Sequence, residues 1–350
     1  MPAISSQRER AGVLIKSEIL IIANTLAEAQ TQQQLLREYG LRIKRRLVLK
    51  SLSMVLSVYR VPTTTDSDAL LKRLQQHHPQ LQAEFNRYYF LQSSRGREYA
   101  RPLTGLPDPG SIGSDPYIAM LDGKVDTQHP ALRNSRIESL DITGQDTTAS
   151  RHGTAVASLL VGRNFVSGAL PEARLLAVNI FKPGTQGELR TRTDWWLQGL
   201  ETIFARMERP DALNMSFGGG DSWIIAQALT RFHQANIVLV AAAGNGGRDS
   251  PLLFPANHPD VIAVAAVDIQ HSKARTSPDS PLLDVVAPGV DVWAADLGGK
   301  GFYASGSSYA APWVTAVLAA HPETLPALTT DLGIPGRDPV FGYGIIQWKK

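Results

Sequence analysis

From residue 117 onward the chain carries six nearly unbroken apolar runs: Tyr117–Leu121, Leu175–Phe181, Ala212–Phe217, Ile237–Ala243, Val261–Val267 and Leu283–Ala287. A strand that is apolar on both faces must be covered on both sides, and that is the condition met by a parallel sheet between two layers of helices. The connections agree with this reading. Trp196, Leu200, Ile203 and Met207 recur at helical spacing between two of the runs, and Ile225, Leu229 and Phe232 repeat the stripe in the next connection. The expectation is an α/β domain over residues 114–350, with an open, mostly parallel central sheet. In such sheets ligands gather just beyond the carboxyl ends of the strands.

The first ninety-odd residues follow a different pattern. Glu18–Ala23 reads as a strand, Thr25–Tyr39 as a helix closed by Gly40, Leu41–Leu49 and Leu52–Val61 as strands, Asp66–His78 as a helix capped by Asp66 or Ser67, and Phe85–Leu91 as an aromatic strand. The order βαββαβ predicts a small α+β, ferredoxin-like domain over residues 1–94. Residues 95–113 are rich in Gly, Pro and Ser and read as a linker.

Charge divides along the same boundary: Lys and Arg against Asp and Glu leave +7 on residues 1–110 and −4 on residues 111–350. Opposite signs favour association of the two parts, although a solvated basic face fits the first of them equally well. The absence of cysteine excludes disulfides, thiol catalysis and thiolate metal sites. No apolar run approaches the roughly 20 residues that span a bilayer, and no signal-peptide pattern is visible, so export requires a leader outside this sequence.

Four polar residues stand where an α/β sheet puts its chemistry. Asp122 follows the run Tyr117–Leu121, and Asn245 follows Ile237–Ala243 across Gly244. His152 enters the apolar helix Ala155–Gly162, and Ser308 opens a helix flanked by small residues, whose N-terminal N–H groups would face developing negative charge. Each has an ordinary reading as a turn residue or a cap. Of eight histidines, His78, His129, His258 and His321 precede proline and read as loop residues; His152 alone enters a buried helix through a Gly-Thr context.

Taken together the segments resemble those of subtilisin-like serine proteases. Ile118-Ala119-Met120-Leu121-Asp122-Gly123 with His129-Pro130 resembles the aspartate motif, His152-Gly153-Thr154-Ala155-Val156-Ala157 the histidine motif, and Gly306-Ser307-Ser308-Tyr309-Ala310-Ala311-Pro312 the serine motif. The resemblance implies a three-layer subtilisin-like fold and a triad of Asp122, His152 and Ser308, with Asn245 in the oxyanion hole. It implies substrate contacts at Ser216, Phe217, Gly218 and Gly219, at Ala242, Ala243 and Gly244, and at Leu253 on the floor of the pocket for the residue preceding the scissile bond (P1). Such a leucine narrows the pocket and favours small or medium apolar side chains. Three departures stand out: Gly123-Lys124 where the family continues with Ser or Thr and then Gly, Ser307 in place of Thr, and a short loop Arg163–Ser167 poor in carboxylates. The last removes a common calcium loop, so neither a metal nor a cofactor is expected.

The same resemblance makes the N-terminal domain a propeptide-like chaperone and inhibitor, with the Gln92–Gly110 tail lying along the cleft until the enzyme cleaves it. Expected partners are protein or peptide substrates and the chain's own N-terminal domain, in a periplasmic or secreted setting, with the cytoplasm left open. Two competing readings remain at this point: a cleft-blocked scaffold that keeps the triad, and binding of nucleic acid or anionic membrane through Arg42, Lys44, Arg45 and Arg46. Strand alternation puts Arg42, Lys44 and Arg46 on one face, which favours a solvated or domain-facing surface over nucleic-acid binding.

Overall fold

The computed structural model describes residues 13–88, 98–108, 110–111, 115–144, 147–184, 188–321 and 323–349. The chain divides into two compact units, Met1–Ser93 and Ser94–Lys350.

The first unit runs β1 (Val13–Ala23), α1 (Leu26–Leu36), β2 (Arg42–Leu49), β3 (Met54–Arg60), α2 (Ser67–His77) and β4 (Ala83–Tyr88). Its sheet has the order β2-β3-β1-β4 with every pair antiparallel, which is the ferredoxin-like arrangement. Local signals explain the boundaries. Asp66 accepts from the Asp68 and Ala69 N–H groups at the start of α2. After α1 a single 3₁₀ turn leads to Gly40, whose φ of +74° closes the helix. Ile19, Ile21, Leu36, Leu70 and Leu74 form its core. The expected one-sided array of cations is not formed. A bulge between Ile43 and Arg45 shifts the register, so Arg42 pairs with Arg60 while Arg46 pairs with Ser57 and falls on the opposite face. There the Arg46 guanidinium donates to the Ala29 carbonyl and to Gln33 of α1. The last strand was expected over Phe85–Leu91; residues 89–91 lie outside the described residues.

The second unit begins with α3 (Ala100–Leu103), β5 (Tyr117–Asp122), β6 (Arg136–Asp141), α4 (Arg151–Val161) and β7 (Arg174–Asn179). A small hairpin, β8 (Lys182–Pro183) and β9 (Leu189–Arg190), leads to α5 (Thr193–Phe204), β10 (Ala212–Met215), α6 (Trp223–Gln234), β11 (Val238–Ala242), β12 (Ile262–Val267) and β13 (Val285–Pro288). A second hairpin, β14 (Val292–Asp296) and β15 (Lys300–Ala304), precedes α7 (Ser307–Ala320), β16 (Thr329–Thr330) and β17 (Ile345–Ile346).

The nine-stranded sheet has the order β16-β17-β13-β12-β11-β10-β5-β7-β6, parallel throughout except where β16 meets β17. Helices α4 and α7 pack on one face and α5 and α6 on the other, so each inner strand is apolar on both sides, as its sequence requires. Helix α4 is buried all round from Gly153 to Val161, which accounts for the lack of charge in that stretch. The chain visits β7 and β6 on one side of β5 and β10 to β13 on the other. That change of direction leaves a crevice at the strands' carboxyl ends, at β5.

Two expectations need correction. Helix α5 ends at Phe204, and Met207 beyond it is fully exposed rather than part of the apolar stripe. The stretch 95–113 is not simply a linker. Tyr99 and Leu106 are buried in the second unit, and the Tyr99 hydroxyl donates to the Val290 carbonyl at 2.6 Å. The Gln347 side-chain amide donates to the Leu103 carbonyl, and the Trp348 N–H to that of Thr104. The part of the expected cleft-lying tail between residues 92 and 97 lies outside the described residues.

Candidate active site

Four elements deliver the sequence-predicted groups to one end of the sheet. Strand β5 ends on Asp122, which is 3% exposed. Helix α4 begins at Arg151, and the Ser150 hydroxyl caps it by accepting from the Gly153 N–H at 3.2 Å. That cap fixes His152 in the first turn, with Nδ1 2.9 Å from Asp122 Oδ1 and 3.0 Å from Oδ2. The carboxylate is held in turn by the Gly123 N–H, 2.6 Å from Oδ1.

Gly123, a departure from the resembled motif, has a steric reason. A Cβ there would sit 2.5 Å from the Ser150 hydroxyl oxygen, so the cap of α4 occupies the space that a side chain would need. Gly153 is under tighter constraint, since a Cβ would lie 2.0 Å from the Gly123 carbonyl oxygen. The strand end and the helix start are therefore in backbone contact.

Burial alone would lower the pKa of His152, but the charge of Asp122 and its hydrogen bond outweigh burial and raise it above the ordinary value. Beside it, burial and then the charge of Asp122 push the Tyr309 phenol upward. The Tyr309 ring lies 5.6 Å from the imidazole, which brings the first turn of α7 against the His–Asp pair.

Ser308 sits in that first turn. Its hydroxyl donates to the Ser216 carbonyl at 2.8 Å rather than to His152, and the Ser216 hydroxyl donates back to the Ser308 carbonyl at 2.8 Å. A buried chain supports the exchange: the Thr315 hydroxyl donates to Asn214 Oδ1, and Asn214 Nδ2 donates to the Ser216 hydroxyl. Sequence reasoning assigned no role to Thr315; its only signal is a hydroxyl within the otherwise apolar stretch Ala310–Ala320.

Asn245 leaves β11 across Gly244. Its Oδ1 accepts from the Ser307 N–H at 3.0 Å, while the Ser307 hydroxyl donates to the Gly244 carbonyl. With the oxygen so engaged, the amide nitrogen is the end available to a ligand. The Ser-for-Thr departure at 307 thus keeps the hydroxyl that ties this turn to α7.

Of the expected substrate contacts, Ser216, Phe217 and Gly218 follow β10 at the crevice, and Ala242, Ala243 and Gly244 lie at the end of β11. Gly219 is an exception, because its N–H and C=O both pair with Phe254. The Ala243 N–H is likewise committed, to the Val264 carbonyl. Leu253 lies between the two glycine segments: a Cβ on Gly218 would fall 2.7 Å from its Cβ, and one on Gly244 3.3 Å from its Cγ. Leu253 therefore packs against both segments, with 39% of its surface left exposed.

Among the described residues, no group of three or more His, Asp or Glu side chains is arranged to hold a metal ion, and no helix is long and apolar enough to cross a membrane.

Comparison with known proteins matches this architecture. The profile of the Subtilase family (peptidase S8) matches residues 113–331. The chain is 30% identical to the minor extracellular protease Epr of Bacillus subtilis (strain 168) over 256 residues, which cover 69% of this chain and 39% of Epr. It is 33% identical to subtilisin E of the same organism over 232 residues, covering 62% of this chain and 59% of that protein. These curated relatives are thus matched over less than two thirds of their length. Among solved structures, the prenylagaramide maturation protease PagA superposes with a TM-score of 0.59 at 26% identity, covering 68% of this chain and 92% of that one.

Proposed function

The chain belongs to the subtilase family, and on that footing we propose that it is a serine endopeptidase with Ser308 as nucleophile, His152 as base and Asp122 as the group that orients the base. The observation that carries the reading is the two-oxygen contact between Asp122 and Nδ1 of His152, which leaves Nε2 to accept a proton. A serine hydroxyl is a weak nucleophile near neutral pH. Rotation of the Ser308 side chain away from the Ser216 carbonyl would carry its Oγ toward Nε2. The Oγ proton passes to Nε2 as Oγ attacks the substrate carbonyl. The Ser308 N–H and the Asn245 amide nitrogen then stabilise the oxyanion. His152 returns the proton to the departing amine, and water hydrolyses the acyl-enzyme through the same base. Leu253, between Gly218 and Gly244, restricts P1 to small or medium apolar side chains.

The N-terminal unit serves in this reading as an intramolecular chaperone and inhibitor that the enzyme releases by cleaving its own chain. Because Tyr99 and Leu106 are buried in the second unit, the bond cut lies on the N-terminal side of Tyr99, within Gln92–Glu98. The extracellular character named for Epr supports a secreted or periplasmic setting. The second reading, a cleft-blocked scaffold, draws on one observation, the Ser308 hydroxyl bonded to Ser216 instead of His152.

Intact-mass analysis of freshly prepared wild-type and Ser308→Ala protein, with fluorophosphonate labelling of both, tests the proposal. Cleavage and labelling in the wild type alone support it. Cleavage in both excludes self-processing, and a wild type that stays unlabelled after limited proteolysis favours the scaffold.

A further inference from the structure

We propose that Asn245 is a site of spontaneous deamidation, and that the change removes an oxyanion donor and so limits the working life of the enzyme. The inactivation, though not the chemical step, rests on the endopeptidase reading. Asparagine is a chemically labile residue, and its lability depends on the residue that follows. The reaction starts when the next backbone nitrogen attacks the side-chain carbonyl carbon, so a side chain on that next residue obstructs it. Asn245 alone among the asparagines of this chain precedes glycine; Asn134 precedes serine, and every other precedes Thr, Arg, Phe, Ile, Met or His.

The structure leaves both reacting groups free. Asn245 and Gly246 are exposed. Among the described residues the Gly246 N–H finds no acceptor, whereas the Gly247 N–H beside it is held by the Thr276 carbonyl. At the comparison pair, the Ser135 N–H is committed to the Leu132 carbonyl at 2.8 Å. The attacking nitrogen is therefore unencumbered at Gly246 and tied at Ser135. On the other side, the Ser307 N–H bonded to Asn245 Oδ1 draws electron density from Cγ and leaves the amide nitrogen as the unbonded end. The feature that presents this nitrogen as an oxyanion donor also makes it a leaving group.

The steps balance with water alone. A bond forms between the Gly246 nitrogen, which gives up its proton to solvent base, and Cγ of Asn245. The Cγ–Nδ2 bond breaks, and the amide nitrogen takes up a proton and departs as ammonia. Water then opens the cyclic imide at either carbonyl, giving aspartate or isoaspartate; nothing is oxidised or reduced. In the aspartate product one oxygen can keep the Ser307 bond while the other stands where the amide nitrogen was. A donor is replaced by a negatively charged acceptor facing the developing oxyanion. The loss should reach at least about 10²–10³ in kcat, the value established for subtilisin's own oxyanion asparagine. The isoaspartate product also lengthens the main chain by a methylene at this turn.

The full chain, as wild type and as Ser308→Ala to suppress self-digestion, is aged in mildly alkaline buffer and mapped by peptide mass with separation of Asn, Asp and isoAsp. Conversion is expected at Asn245 before Asn134 in both proteins. Gly246→Ala should convert at Asn245 no faster than at Asn134. Its added Cβ falls 2.9 Å from the Ser250 side chain, so the wild-type map carries the test if this variant does not fold. Asn245→Asp, made directly, should show the loss of about 10²–10³ in kcat from the outset. Asn245 still intact when Asn134 has converted, or Asn245→Asp with the kcat of the wild type, overturns the proposal. Fresh wild type that neither cleaves peptides nor takes a fluorophosphonate label removes the endopeptidase reading, and the inactivation with it, while the mass map still decides the chemical step.

Discussion

Asp122→Asn isolates what the carboxylate does for the imidazole. In the wild type both carboxylate oxygens lie within 3.0 Å of His152 Nδ1, and Asp122 is almost wholly buried. Opposite charges about 4 Å apart attract by roughly 4 kcal/mol at the effective dielectric of protein sites. Burial of His152 opposes this, yet the net effect on its pKa is upward. Asparagine removes the attraction and leaves the burial. The pKa of His152 should then drop from above its usual value to below it. Loss of about 4 kcal/mol of imidazolium stabilisation corresponds to about 10³-fold in rate. An imidazole held in the wrong tautomer brings the expected loss in kcat to about 10⁴-fold. The assay is kcat/KM against pH with a small-P1 peptide. The wild-type acid limb should fall above pH 6.5, and the residual activity of the variant should show an acid limb at lower pH. An acid limb that does not move would refute the assignment of Asp122 as the partner that sets the base. Stability gives an independent reading with a defined sign. A histidine whose folded pKa is raised contributes stability that is fully present below its unfolded pKa and is lost as pH rises through the folded value. The wild type should therefore lose stability relative to Asp122→Asn as pH increases through that window.

Other substitutions probe the framework around this pair. Leu253→Gly should open the gap between Gly218 and Gly244 and raise kcat/KM for Phe over Ala at P1 by at least about tenfold, measured with P1-varied peptides; no change would remove Leu253 from the specificity pocket. Ser216→Ala removes the donor to the Ser308 carbonyl and strands Asn214, at a cost of about 1–3 kcal/mol, read from denaturant midpoints together with a lower kcat. Ser150→Ala removes the cap of α4 and should lower Tm by roughly 2–4 °C, the equivalent of about 1 kcal/mol in a domain of this size. Gly153→Ala should cost about 3 kcal/mol or more by forcing α4 away from Gly123, with soluble yield and circular dichroism as the readouts.

The buried strands were legible because covering both faces of a parallel sheet leaves no place for polar residues, and the runs announced β5, β7 and β10 to β13. Strand β6 was not, because Arg136-Ile137-Glu138-Ser139-Leu140-Asp141 lies at the sheet edge and stays largely exposed. The burial of Tyr99 was hidden by its Gly- and Pro-rich surroundings; its partner Val290, like Gln347 and Trp348 that bond Leu103 and Thr104, is remote in sequence, and no local pattern signals a long-range dock. Met207 was misread because the helical beat was carried past Phe204. Around the site, the positions of Asp122, His152, Ser308 and Asn245 at strand and helix ends could be read directly. The direction of the Ser308 hydroxyl could not, since a side-chain torsion depends on which acceptor the fold brings near. Nor could the commitment of Gly219 to Phe254, which is set by a loop thirty-odd residues further on.

The bond from Gln347 to Leu103 joins residues 244 positions apart. On a ribosome that adds about 5–20 residues per second, Leu103 therefore waits many seconds for its partner. Asp122, His152 and Ser308 are all synthesised before Gln347, so the segment that holds Leu103 receives this bond only after most of the second unit has been made.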